Sequence, residues 1–267
     1  MSKDELLSLA TNEVDQLEGN MAVHARLRTL ILDGAFPPGS MLSQVKLAEM
    51  LGVGRLPLRE ALRMLQEEGL VEAEHNQRAR IPSFDPHVLD ALYATRLPLE
   101  GIGIYLTVMQ LQPGDLEVLE QVLDGMDEAG ERNDGSAMAE LHRKFHRLLV
   151  QHAGPQLCST IGGYADRSEY YRRMGYRQMY ESDPIKLRET AGAEHRAIFE
   201  ACREHNAEEA VRRLVLHLAR TALSLLALMA PQYHPSAIRT ALHVMGADNR
   251  PFEIIVPGKR TKKKTSL

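Results

Sequence analysis

The residues best able to do chemistry in this chain are four histidines. His142 and His146 stand four apart in HRKFH, so a helix would place both imidazoles on one face, within reach of a single metal ion. His195, in AEHRAIFEAC, and His217, in VRRLVLHLART, each sit in a helical pattern beside apolar residues such as Ile198, Phe199, Leu214 and Leu218. Taken singly, each reads as a buried histidine satisfied by hydrogen bonds. Converging, they would present neutral imidazole nitrogens, common ligands of zinc and nickel. Hydrolytic use of such an ion would need an open coordination position and a general base. HRKFH carries Arg143 and Lys144 where the metalloprotease motif HExxH has its glutamate. The sequence also lacks paired carboxylates, a nucleophile elbow and a glycine-rich phosphate loop. It is therefore read as a non-enzyme, with a metal-dependent hydrolase as the remoter alternative.

A second constellation lies in Val53–Val71, VGRLPLREALRMLQEEGLV. Leu58, Ala61, Leu62 and Leu65 form one helical stripe that must pack inward. Arg55, Arg59 and Arg63 step by four along another face, and Gln66 continues it. Guanidinium groups so arranged can bond bidentately to guanine in the major groove of double-stranded DNA, each contact worth about 1–3 kcal/mol of discrimination. Composition alone does not point to DNA: residues 19–83 hold eight Lys/Arg against seven Asp/Glu, and the whole chain carries a net charge of −4. Any nucleic-acid surface must be local.

These residues need helices to carry them, and almost every segment after residue 19 reads as helix. Val23, Leu27, Leu30 and Ile31 mark one that ends at Asp33-Gly34. Ser43 caps a short second helix through Leu51, closed by Gly52, and a third begins near Pro57 and runs to Gly69. Leu70–Glu74 and Arg78–Pro82 form extended candidates around His75-Asn76-Gln77, a small hairpin. Three helices and a hairpin describe a winged helix-turn-helix over 19–83, preceded by an N-terminal arm, 1–18. From Pro86 onward only long amphipathic runs occur, broken at Gln112-Pro113-Gly114, Gly154-Pro155 and Asp183-Pro184. They predict an all-helical domain over 87–230 and a mainly α protein. In the remaining extension, 231–267, Ser236–Met245 fits a helix and Glu253–Val256 a short strand. The basic end, GKRTKKKTSL, reads as a solvated tail, with auxiliary phosphate contacts as the alternative.

Two cysteines cannot build a disulfide framework, the N-terminus has no signal-peptide core, and no apolar run approaches the roughly 18 residues of a membrane span. A soluble, cytoplasmic protein without membrane contact is expected.

The segment from Leu47, LAEMLGVGRLPLREALRMLQEEGLV, resembles the DNA-binding domain of the GntR family. That domain typically reads leucine-alanine-x-x-leucine-glycine-valine-serine-arginine-threonine-proline-x-arginine-glutamate-alanine-leucine. By this resemblance Arg55 and Arg59 contact bases or phosphates, and His75 at the wing tip reaches the minor groove. Gly54 and Leu56 depart from the family's serine and threonine, removing two hydroxyl contacts. The helical half is similar to the FCD effector domain of the FadR-like branch of that family, a bundle of six or seven helices. Phe145-His146, Glu194-His195 and His217 match its signature in order, and Arg96 and Glu100 match the first long helix. The family's aspartate ligand is His142 here.

The resemblance implies a homodimeric transcriptional regulator, a repressor in the commoner mode, bound to a palindromic operator. It also implies a divalent transition metal, zinc or nickel, held by His142, His146, His195 and His217. That ion would anchor a small carboxylate effector that Arg96 grips through paired hydrogen bonds. Pro98 is expected to bend the helix that bears Arg96. Ser168–Tyr180, SEYYRRMGYRQMY, is either a further effector contact or a solvated amphipathic helix. A regulator that senses the metal directly is the main alternative.

Overall fold

A computed structural model describes residues 19–74, 78–182 and 184–247. They divide into two compact units. The first holds residues 19–85 together with 166–174, the second residues 86–165 and 175–247.

The first unit opens with α1 (Asn20–Leu32), whose Val23, Leu27 and Ile31 face inward at helical spacing. Strand β1 (Met41–Leu42) precedes α2 (Gln44–Leu51). Ser43 caps α2 by accepting the Lys46 N–H (3.4 Å). Gly52 ends it at φ +66°, a left-handed conformation that costs glycine little. Helix α3 (Arg55–Glu67) buries Leu58, Ala61, Leu62 and Leu65. Strands β2 (Glu72–Glu74) and β3 (Arg78–Arg80) pair antiparallel, with Ala73 opposite Ala79. β1 adds to the far side of β3, Met41 opposite Arg80, so the sheet order is β1-β3-β2. This is a winged helix-turn-helix.

Residues 166–174 lie within the long helix α7 (Pro155–Ser182) and complete this unit. Arg28 of α1 donates to Glu68 (2.9 Å) and pairs with Asp166, while Arg173 pairs with Asp33. The Tyr170 hydroxyl donates to the Pro82 carbonyl (2.7 Å). Ser168, Glu169, Tyr170 and Tyr171 are all buried, so this part of the Ser168–Tyr180 run is not a solvated face. Its side chains fill the first unit. Burial alone would raise the Glu169 carboxyl, but ion pairs with Arg172 (2.6 Å) and Arg173 (2.9 Å) overcome it and hold the group below its ordinary range.

The second unit is helical throughout its described residues. Helix α4 (Pro86–Val108) passes through Pro98, which removes one rung of the backbone ladder without ending the helix. Helix α5 (Pro113–Glu131) starts at a capping box between Gln112 and Asp115. It is followed by α6 (Gly135–Leu148), capped by Asp134, then α7, α8 (Pro184–Arg203) and α9 (Ala207–Met229), capped by Asn206. Proline stands in the first turn of α4, α5, α7 and α8, where its missing N–H costs nothing.

Helix α10 (Ser236–Val244) has no cap from its own flank. Asp90 of α4 supplies one: its buried carboxylate accepts the N–H groups of Ala237 (3.0 Å) and Ile238 (2.9 Å) and the Tyr233 hydroxyl (2.9 Å). The predicted strand Glu253–Val256, the basic tail and His75 lie outside the described residues. No described helix is long and apolar enough to cross a membrane.

Two outcomes follow from these ion pairs and caps. Asp90→Ala strands the buried Ile238 amide and the half-buried Ala237 amide and should cost about 3 kcal/mol in urea unfolding, with amide exchange rising first at Ala237 and Ile238. The folded Glu169 binds its proton less readily than the unfolded one, whose pKa is about 4.3. Its contribution is therefore complete above that pH and lost as pH falls through the lower folded value. Glu169→Gln should lower Tm at pH 7 and flatten the acid limb of Tm against pH. A parallel acid limb in both proteins would show that Glu169 carries none of it.

Candidate metal centre and DNA-reading helix

Three helices of the second unit bring the four histidines to one point: α6 carries His142 and His146, α8 carries His195 and α9 carries His217. One ring nitrogen from each falls within 4.8 Å of the others. His146, His195 and His217 are buried and His142 is half-buried. The spacing of four on α6 brings its two imidazoles to 4.6 Å, centroid to centroid, with the rings tilted by 55°. Phe145, fully buried, packs edge-on against His195 (5.2 Å) and His146 (5.6 Å) and fixes both rings.

The nitrogens face one another in a way that suits a shared ion. His195 Nε2 lies 3.2 Å from His217 Nε2. Two imidazole nitrogens at about 2.0–2.1 Å from one metal, separated by that distance, subtend roughly 100°, near the tetrahedral angle. On its other side His217 Nδ1 donates to Glu194 Oε2 (2.8 Å), which leaves the Nε2 lone pair turned toward the cluster. Arg220, one turn after His217, pairs with the same carboxylate. The donor set, four neutral imidazoles with one backed by a carboxylate, fits a first-row transition ion better than magnesium or calcium.

Arg96 lies buried on α4. Its Nε donates to Glu100 Oε1 (2.6 Å) and its guanidinium rests over the Tyr93 ring at 4.8 Å. Both Arg96 and Glu100 were singled out in sequence. Tyr93 was not, although its position three residues before Arg96 puts it on the same helical face.

In the first unit the arginine stripe is divided. Arg55, Arg59 and Arg63 all lie exposed on α3. Arg63 donates to Glu60 (3.1 Å) and pairs with Glu67 on its own helix. Among the described residues no acidic side chain pairs with Arg55 or Arg59. At the start of α3, Gly54 provides no side-chain cap, and Leu56 is 71% exposed.

Comparison with known proteins places these sites in a family context. The model for the bacterial regulatory proteins of the gntR family matches residues 20–81, and that for the FCD domain matches residues 91–220. The HTH-type transcriptional regulator YdhC of Bacillus subtilis is 30% identical over 194 residues, 72% of this chain and 84% of that protein. The Escherichia coli regulator McbR is 30% identical over 184 residues, 67% of this chain and 80% of its own length. The solved structure of E. coli McbR/YncC superposes with a TM-score of 0.69 at 25% identity, covering 79% of this chain and 98% of that one. A GntR structure from Rhodococcus, at 22% identity and a TM-score of 0.66, shows the same fold. These relatives are transcriptional regulators, not enzymes.

Proposed function

Because the chain belongs to the GntR family of DNA-binding transcriptional regulators and carries an FCD domain, we propose that it is a metal-containing, ligand-responsive repressor. The observation that carries this reading is the convergence of four imidazoles, two of them opposed at 3.2 Å. His142, His146, His195 and His217 would hold zinc or nickel, and Glu194 would fix the His217 ring through Nδ1. The ion would supply a positive point to which a small carboxylate effector binds, with Arg96 as a second anchor. Two copies would read a palindromic operator, their two-fold symmetry matched to its half-sites. Arg55 and Arg59 would contact base edges, and Arg63, engaged by Glu60 and Glu67, would contribute less. His75 would extend toward the minor groove. The effector can act only through different affinities for the DNA-competent and incompetent states.

A second reading, direct metal sensing, is favoured by the donor set itself. Four neutral ligands give an ion less electrostatic hold than a site containing a carboxylate. Operator affinity that changes with zinc alone, with no further change on adding carboxylates, would select it.

Metal analysis of purified protein should find one equivalent of a first-row ion per chain, lost in the double variant His195→Ala with His217→Ala. Glu194→Gln should weaken metal affinity about 10–100-fold in competition with a chromogenic chelator. Wild-type protein that takes up no stoichiometric ion would end the metal reading. For the DNA half, Arg55→Ala or Arg59→Ala should each cost about 1–3 kcal/mol of operator binding by fluorescence anisotropy, and Arg63→Ala less. Unchanged far-UV circular dichroism guards against misfolding. Full operator affinity in both of the first two variants would remove them from the reading surface.

A further inference from the structure

The outward face of α4 carries no charge. From Ala91 to Gln110, every exposed or half-buried position holds an apolar residue, a threonine or a glutamine. The solvent face of α5 is the contrast, with Glu117, Glu120, Asp124 and Asp127 all exposed. On α4 the outward residues Ala91, Thr95, Pro98, Ile102, Tyr105 and Met109 recur at alternating intervals of four and three. That spacing keeps them on one narrow stripe, about 27 Å long, and is the spacing of a helix–helix seam. Met109 stands one residue past α4 but continues its ladder, its N–H donating to Tyr105 O (3.3 Å). Ile102 is 53% exposed, Tyr105 41% and Met109 66%, with Leu106 beside them at 39%. A groove of about 400 Å³ lies along the middle of the stripe, between Pro98, Ile102 and Tyr105 on one side and Val211 and Met245 on the other. Single exposed apolar residues are ordinary, but an uncharged seam of this length marks a surface that another helix covers.

We propose that this stripe pairs with the same stripe of a second copy, the two α4 helices running antiparallel across a two-fold axis near residue 100. The alternation of four and three reads the same in both directions. An antiparallel copy therefore brings Pro98 opposite Ile102, Thr95 opposite Tyr105 and Ala91 opposite Met109. Each pair sets a smaller side chain against a larger one, so the three layers fill similar volumes. A parallel pair would set Tyr105 on Tyr105 at one end and Ala91 on Ala91 at the other, and would gape. The Thr95 hydroxyl already donates to Ala91 O (2.9 Å), so covering it strands no polar group. A charge close to a two-fold axis would meet its own copy, and this face has none to repel. The area suffices as well. Four large side chains at about half exposure offer roughly 400 Å² per copy, about half of each partner's share in a standard interface, with the flanks as the polar rim. The inference rests on the two-copy reading above and gives it a surface and a register. It is independent of the metal and effector assignments.

Cysteine cross-linking in the full chain tests the register. Thr95→Cys and Tyr105→Cys are placed together on a Cys158→Ser background. The remaining Cys202 is buried, which pushes its thiol up to about 12, so it stays protonated and unreactive. Within one chain the two new thiols are about 15 Å apart along α4, too far for a disulfide. Oxidised glutathione should therefore link two chains, giving at least tenfold more covalent dimer on a non-reducing gel than either single cysteine gives. Ile102→Asp should raise the dimer dissociation constant at least a hundredfold by sedimentation velocity, with far-UV circular dichroism unchanged. A wild-type chain that is monomeric at micromolar concentration overturns the two-copy reading and this proposal together. A dimer that survives Ile102→Asp, or that links no better through the cysteine pair than through one cysteine, overturns the proposal alone.

Discussion

The second unit is organised around burying polar imidazole among apolar helices. A buried nitrogen left without a partner costs about 1–3 kcal/mol, so four rings can enter the interior only where each finds a donor, an acceptor or an ion. Helices α6, α8 and α9 bring these rings face to face, where a shared ion would take the nitrogens turned toward one another. His195 and His217 oppose their Nε2 atoms, Glu194 takes the far nitrogen of His217, and Phe145 fills the space beside two of the rings. The helices cohere through apolar burial, to which the leucines and alanines of α9 contribute heavily.

Much of this was legible in the sequence because it is local. Ser43 capping α2, Gly52 ending it, the inward leucines of α3 and the proline-started helices all follow from a few adjacent residues. The four histidines lie on three helices far apart in the chain, and their meeting was legible only through resemblance to a family signature. What escaped is non-local. Strand β1 is two residues long and exists because Met41 pairs with Arg80, a contact that no periodicity near residue 41 announces. Asp90 reads as an ordinary polar residue of α4, yet it caps a helix that begins 146 residues later. Ser168–Tyr171 carries an amphipathic pattern that identifies a helix but not which surface its apolar side joins. Arg28, Asp33 and Pro82 decide that through contacts with Asp166, Arg173 and Tyr170.

The two arginine settings show how one residue type is put to different use. Arg96 is buried and tied to Glu100, and its planar group rests over Tyr93, so its direction is fixed before any ligand arrives. Arg55 and Arg59 are exposed on a chain whose net charge is −4, so attraction to DNA must come from a small local field rather than from the whole molecule. Contacts of that kind are screened by salt and depend on the few groups that no internal carboxylate neutralises. Arg63, held by Glu60 and Glu67, would have to exchange those partners to join that set.

The same bookkeeping of charge applies at the metal centre, and it turns on His142. A carboxylate at that position would cancel half the charge of a divalent ion. Imidazole cancels none, so an ion held by four histidines keeps its full positive charge inside a low-dielectric interior, where a charge acts strongly on its neighbours. The carboxylate beside the cluster, Glu194, is itself paired with Arg220 and spends one oxygen on His217. A site so arranged attracts an anion more strongly than one whose ligand set already contains a carboxylate. An ion held there would also draw part of its stability from that anion. With His142 where the family has an aspartate, the two proposed events would be coupled: an ion would bind more loosely alone, and more firmly once a carboxylate joined it.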